Sequence, residues 1–246
     1  MTVSGVGREP TVRLQYLSSL KKHTSHCYNL LYTLNDQGNV NTMGFLNFLF
    51  GGKAPANREI VPDRIWLTTD AKFAGIAKNV TARANSGTVA ILLVAHFPDV
   101  LARLNGIAAE SSALPVKALL ARDLSPELAA SLTLDDSATI DVIVAERHPL
   151  PSVDDRLEEF ADAFAFRCRF SHHLSLDDAI VQVFAGSWVQ GMLGRLGMTE
   201  DESIEGTMIS RRIKRAQRKI ESKTYESLDA DSATEWLEKN CPELVK

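Results

Sequence analysis

Apolar residues recur at two different periods along this chain. Leu14, Leu17, Leu20, Cys27, Leu30, Leu31 and Leu34 return at threes, fours and sevens, the spacing of one helix face beginning near Thr11. Residues 1–10 carry no period and predict a mobile tail. Asn35-Asp36-Gln37-Gly38-Asn39 ends the helix, with Gly38 suited to a left-handed cap. An apolar patch follows, Met43, Phe45, Leu46, Phe48, Leu49 and Phe50, before Gly51-Gly52-Lys53-Ala54-Pro55 breaks the chain.

Beyond that break the pattern alternates. Strands are expected at Arg64–Thr69, Thr88–Phe97, Val116–Ala121, Ile140–Ala145 and Phe166–Leu174. Helices are expected at Ala71–Ala84, from Pro98 to Leu104, after Ser125-Pro126-Glu127, and at Val153–Ala163. Continuous apolar strands separated by amphipathic helices predict a mostly parallel sheet covered on both faces. Leu174-Ser175-Leu176-Asp177-Asp178 reads as a helix start with Ser175 as its cap. Glu205–Tyr225 reads as a longer helix with Ile209, Ile213, Ala216 and Ile220 on one stripe, and Ala233–Lys239 as a last short one.

Composition sets few limits. The chain has 246 residues, 45% of them hydrophobic and 24% charged, ordinary for a protein with a real core. Its net charge of −4 gives no global pull toward nucleic acid or anionic membrane. No apolar run approaches the roughly 20 residues needed to span a bilayer. The start is not a signal peptide, so cytoplasmic residence is expected. Cys27, Cys168 and Cys241 form no Cys-x-x-Cys pair and read as reduced structural thiols.

One segment carries more information. It contains Ile140-Asp141-Val142-Ile143-Val144-Ala145-Glu146-Arg147-His148, then Val153-Asp154-Asp155-Arg156-Leu157 and Arg169-Phe170-Ser171-His172-His173-Leu174. It continues through Met192-Leu193-Gly194-Arg195-Leu196-Gly197-Met198 to Ile213-Lys214-Arg215-Ala216-Gln217-Arg218-Lys219-Ile220-Glu221-Ser222. This order of landmarks resembles the second nucleotide-binding domain of SecA, the preprotein translocase ATPase, running into its helical scaffold. Leu67-Thr68-Thr69-Asp70-Ala71-Lys72 and Val94-Ala95-His96-Phe97 extend the resemblance upstream, so that it covers about residues 62–225. It implies an α/β three-layer sandwich of RecA-like type, the fold of P-loop NTPases. The expected domains are a helical extension over 1–61, a degenerate motor domain over 62–198 and a scaffold remnant over 199–246.

The residues that handle ATP in such a motor are replaced. No Gly-x-x-x-x-Gly-Lys-Ser/Thr occurs, and the one Gly-Lys, Gly52-Lys53, runs into Ala54-Pro55. The resemblance implies a Gly-Arg-Gly-Thr-Asp turn, but Asp123-Leu124-Ser125-Pro126-Glu127 stands there. It implies a Gln-x-x-Gly-Arg-x-x-Arg segment, but the corresponding residues are Arg156, Glu159, Phe160 and Ala163. Losing one such arginine commonly costs about a thousandfold or more in rate. The expectation is therefore that the chain is not an enzyme and has no catalytic, cofactor or metal residues. In this reading it is an inactive half-motor that binds a protein partner within or near an export pathway. Two alternatives are a nucleotide-binding regulator without hydrolysis and a small-molecule enzyme built on His148, Asp154 and Asp155.

Other constellations are weaker. His23-x-x-His26-Cys27 lacks a fourth metal ligand. His172 and His173 are strand neighbours and point to opposite faces. His148, Asp154 and Asp155 sit at a strand end and helix start, where capping explains them. The best interaction signal is the basic run Arg211, Arg212, Lys214, Arg215, Arg218 and Lys219. It reads either as a docking surface for an acidic partner or as a solvated face paired with Glu226, Asp229, Asp231, Glu235 and Glu238. Nucleic acid is disfavoured because no aromatics are interleaved for stacking. The Phe-rich patch at 45–50 is expected to cover the face once met by a first motor, or to mediate homo-oligomers.

Overall fold

A computed structural model of the chain describes residues 57–244, apart from 132–133, 136, 184–188, 190–192, 194–198, 200 and 206. The helix expected from Thr11, the patch at 45–50 and the His23, His26 and Cys27 group lie outside the described residues.

The elements run β1 (Arg58–Ile60), β2 (Arg64–Trp66), α1 (Thr69–Arg83), β3 (Thr88–Ala95), α2 (Pro98–Glu110), β4 (Val116–Leu120), α3 (Pro126–Ser131), β5 (Thr139–Val144), α4 (Pro151–Asp162), β6 (Arg167–Ser175), β7 (Ser203–Glu205), α5 (Thr207–Glu221) and α6 (Ala233–Asn240). They build a seven-stranded sheet in the order β4-β3-β5-β6-β2-β7, with β1 also pairing β6. All pairings are parallel except β2 with β7. The fold is α/β, a mostly parallel sheet between helical layers, as expected of a RecA-like sandwich.

The central strands form because their residues are apolar on both faces. Ile91, Leu93 and Ala95 of β3 and Ile143 and Ala145 at the end of β5 pack with Phe73, Ile76 and Val80 of α1 and Leu104 of α2. Val142 and Val144, one residue out of phase, are buried on the opposite side. There α4 lies against β6, with α3 and α5 beside it. A second cluster joins Phe97, Leu174 and Leu176 at the strand ends to Ile213, Ala216 and Ile220 of α5 and to Trp236 and Leu237 of α6.

Gly75 marks the closest approach of α1 to the sheet. A Cβ there would lie 2.0 Å from the Trp66 ring. In β5 the buried Asp141 is matched by Thr88 Oγ1 (2.6 Å), Arg169 Nη2 (2.9 Å) and Arg83 Nε (3.3 Å).

Three local expectations change. Strands β1 and β7 were not anticipated, and Glu205 belongs to β7, so the long helix begins at Thr207. Ser175 is the last residue of β6 and caps nothing. Its N–H and Oγ–H donate to Asp178, and the helical turn over 179–183 starts from Asp178. Asp154 is not a cap either: the residue preceding α4 is Leu150, and no side chain caps that helix. Among the described residues no helix is long and apolar enough to cross a membrane.

Candidate functional site

Strands β3, β5 and β6 end on a buried polar network. Glu146, Arg147 and His148 follow β5 after Ala145, and all three are buried. Arg147 Nη2 donates to both oxygens of Asp63, at 3.1 and 3.0 Å, and Nη1 reaches Asp154 Oδ2 at 3.3 Å. Asp154 also accepts the His148 amide (3.0 Å) and Gln217 Nε2 (2.7 Å), and its Oδ1 lies 3.0 Å from His96 Nε2. Gln217 uses the same Nε2 on the His148 carbonyl at 2.7 Å. Ser210 Oγ donates to Asp63 at 2.6 Å. One guanidinium therefore ties β5 to the β1–β2 turn and α4, while two α5 side chains complete the carboxylates' hydrogen bonds.

The electrostatics follow from burial. Desolvation alone would raise Asp63 and Asp154. For Asp63, Arg147, His172 and Ser210 outweigh it; for Asp154, His96, Arg147 and His172 do. Both carboxyls are thus held below the usual carboxylate range. Arg147 is burdened by the same desolvation, but Asp154 and Asp63 raise it overall. Burial pushes His148 and His172 down to about 3, so both rings are neutral at pH 7. Glu146 moves the other way, up to about 7, again because burial penalises its charge. Its Oε1 accepts the His96 and Phe97 amides at 2.9 and 3.1 Å.

A second cluster lies across Glu146. Lys72, almost fully buried, donates to Asp178 at 2.6 Å, and Asp178 also holds Ser175. Glu146, Lys72, Asp178, Asp99 and Arg103 line a cavity of about 280 Å³. The carboxylates here bond backbone amides: Asp177 takes Thr69 N–H, and Asp99 takes Val100 N–H.

Each sequence candidate has a definite place. His148 and Asp154 are brought together, but Asp155 is exposed and apart. His172 faces Asp63, whereas His173 meets Asn79 and stacks on Trp66, so the neighbours do point to opposite sides. Phe160 is wholly buried against Phe164, and Ala163 ends α4. Glu158 pairs with Arg58 and Lys214. Cys168 and Cys241 are buried free thiols. Among the described residues no group of three His, Cys, Asp or Glu is placed to hold a metal ion.

Arg211, Arg212, Lys214, Arg215, Arg218 and Lys219 are all exposed on α5. Among the described residues only Lys214 of these six has an ion pair, 3.8 Å from Glu158. The acidic residues of 226–238 do not pair with them: Glu235 bonds Lys239 instead. Sequence reasoning missed Asp63, His96, Ser210 and Gln217. A signal existed for Gln217, which lies four residues after Ile213 on the buried stripe of α5.

Comparison with known proteins agrees with the resemblance. The chain is 35% identical over 94 residues to the protein translocase subunit SecA of Acinetobacter baylyi, covering 38% of this chain and 10% of that protein. It is 38% identical over 86 residues to SecA of Dichelobacter nodosus, covering 35% and 10%. With SecA of Xylella fastidiosa it shares 30% over 160 residues, covering 65% and 17%. No family model matches the chain. The chain is SecA-like over part of its length, and it spans between a tenth and a sixth of these relatives. The expectation of a non-enzyme is corrected by this finding: the kinship is to the subunits of a translocase ATPase, which is an enzyme.

Proposed function

We infer that this SecA-like chain forms the second half of a protein-translocation motor, on the cytoplasmic side, and presents α5 to a protein partner of the export machinery. The observation that carries this reading is the mounting of α5. Ser210 and Gln217 fasten the helix to the carboxyl ends of the strands, while six cations face outward. A helix fixed in this way carries a strong local positive field without freedom to retract it. The partner surface is accordingly acidic.

ATP turnover is assigned to the assembled motor, in which another half supplies the phosphate-binding loop. Mixing the purified chain with the first motor half of a SecA relative and measuring phosphate release tests that assignment. Docking is tested separately, by a photo-crosslinker at Arg215 presented to purified translocase components. Capture of a component is expected, reduced about tenfold or more by R211E/R215E/R218E, since each exposed charge contributes a few tenths of a kcal/mol or more. Undiminished capture by the triple variant, with its melting temperature unchanged, removes α5 from the interface.

A further inference from the structure

A cavity of about 230 Å³ opens beside the buried network, where β3, β4 and β5 end. Strand β3 feeds β4 on one side, while β5 feeds β6 on the other, so the connections diverge between β3 and β5. Such a divergence leaves a crevice outside the carboxyl ends of the strands, and it is where open α/β sheets take ligands.

The walls have a definite chemistry. The His148 ring stacks on Phe97 with centroids 5.3 Å apart and meets the edge of Trp236 at 5.4 Å. Arg122, in the turn after β4, and Arg156, in the second turn of α4, both line the cavity and are exposed. Neither has a hydrogen bond or ion pair among the described residues, unlike Arg147, Arg169 and Arg58. The Leu150 amide donates to His148 Nδ1 at 3.0 Å, which places the proton of the neutral ring on Nε2 as a donor. His96, another lining residue, has a side chain only 1% exposed, and its Nδ1 has no hydrogen-bond partner among the described residues. Asp229 is the single carboxylate among the lining residues. Two uncommitted guanidiniums and an imidazole N–H therefore line the cavity beside one acid, while His96 keeps its Nε2 on Asp154.

We propose that this cavity binds a small oxyanion, a phosphate or carboxylate group held between Arg122 and Arg156. Guanidinium forks match the planar oxygens of such groups. The aromatic wall of Phe97, His148 and Trp236 keeps one side dry, which strengthens the charge-assisted bonds. This assignment does not depend on α5 or on any docking role.

Calorimetric titration at low salt with inorganic phosphate, and separately with acetate, tests it. Saturable binding of at least one anion is expected, weakened about tenfold in R122Q and in R156Q and lost in the double variant. Phosphate alone, acetate alone or both would assign the group that fits. Because both arginines are exposed, the variants should melt as the wild type does, and circular dichroism checks that. R211E/R215E/R218E should bind the anion with unchanged affinity. The proposal is overturned if neither anion binds the wild-type chain. It is equally overturned if R122Q/R156Q binds as well as wild type, or if affinity is lost only with the α5 charges.

Discussion

Replacing Arg147 with methionine keeps much of the side chain's volume but removes the cation between Asp63 and Asp154. Arg147 and both carboxylates are each less than a tenth exposed, so water cannot take the place of the guanidinium. Asp63 would keep Ser210, and Asp154 would keep the His148 amide and Gln217, yet two buried negative charges would lack a counter-ion. Breaking a buried pair by removing one partner costs about 3–5 kcal/mol. For a domain of this size 1 kcal/mol corresponds to about 2–4 °C, so a fall of roughly 6–20 °C in Tm is expected at pH 7. The pH profile gives a sharper check. In the wild type both carboxyls titrate below the unfolded value, so their stabilisation is present above about pH 4 and is lost as pH falls through the folded values. In R147M Asp63 loses its chief attraction and Asp154 the one that ranks after its His96 hydrogen bond, so burial weighs more and the folded carboxyls take up protons at higher pH than in the wild type. The deficit of R147M should therefore shrink on acidification from pH 7 to 5. Thermal unfolding followed by circular dichroism at several pH values measures both effects. A loss under about 1 kcal/mol, or a deficit that grows on acidification, would refute the reasoning.

Further outcomes follow from single contacts. Gly75→Ala should gain up to about 1 kcal/mol of helix propensity but force a methyl into the buried Trp66 ring, for a net loss of about 1–2 kcal/mol by urea denaturation. Glu146→Gln should be more stable than wild type at pH 8, where the buried wild-type carboxylate is ionised, and the difference should shrink as pH falls below about 7 and vanish below the unfolded value of 4.5. The neutral His148, His172 and His173 pull the other way: their folded values near 3 lie below the unfolded one, so they stabilise above about pH 6.5 and lose that contribution as pH falls toward 3. Consequently E146Q, lacking the opposing carboxyl, should show a steeper loss of stability between pH 7 and 5 than the wild type.

The parts of the fold that could be read from the sequence are those that local chemistry decides. The apolar runs of β3 and β5 need cover on both faces wherever they fold, and Pro98 and Pro151 start helices because their fixed backbone suits a first turn. Strands β1 and β7 could not be read in the same way. Arg58-Glu59-Ile60 and Ser203-Ile204-Glu205 have no strand pattern of their own and are extended only because β6 and β2 offer them edges. The network was illegible for a related reason. Arg147 finds Asp63 across 84 positions, and Gln217 finds Asp154 across 63. A carboxylate in the first turn of a helix ordinarily satisfies that helix's own amides, so Asp154 looked like a cap. It faces inward instead because α5 lies over it and supplies Gln217. The basic face of α5 was visible as composition, but its freedom from the acidic residues of 226–238 depends on where α6 packs.

That packing also decides how force would pass through the molecule. Sliding α5 along the sheet would strip Ser210 from Asp63 and Gln217 from both Asp154 and the His148 carbonyl, exposing carboxylates that Arg147 alone would then have to neutralise. Ile213, Ala216 and Ile220 would leave the apolar cluster at the same time. Several kcal/mol of buried polar and apolar contact oppose such a shift, whereas the outward cations make almost no bonds that would hold a partner back. A load applied to the cationic face would therefore move α5 and the carboxyl ends of β5 and β6 as one body. Comparing amide exchange at Gln217 and Ala145 tests this: both should open with the same free energy in the wild type, and Gln217→Leu should not separate them, because the apolar stripe remains. Gln217→Glu, which adds a third buried carboxyl beside Asp154, should release α5 first and make its amides exchange faster than those of β5.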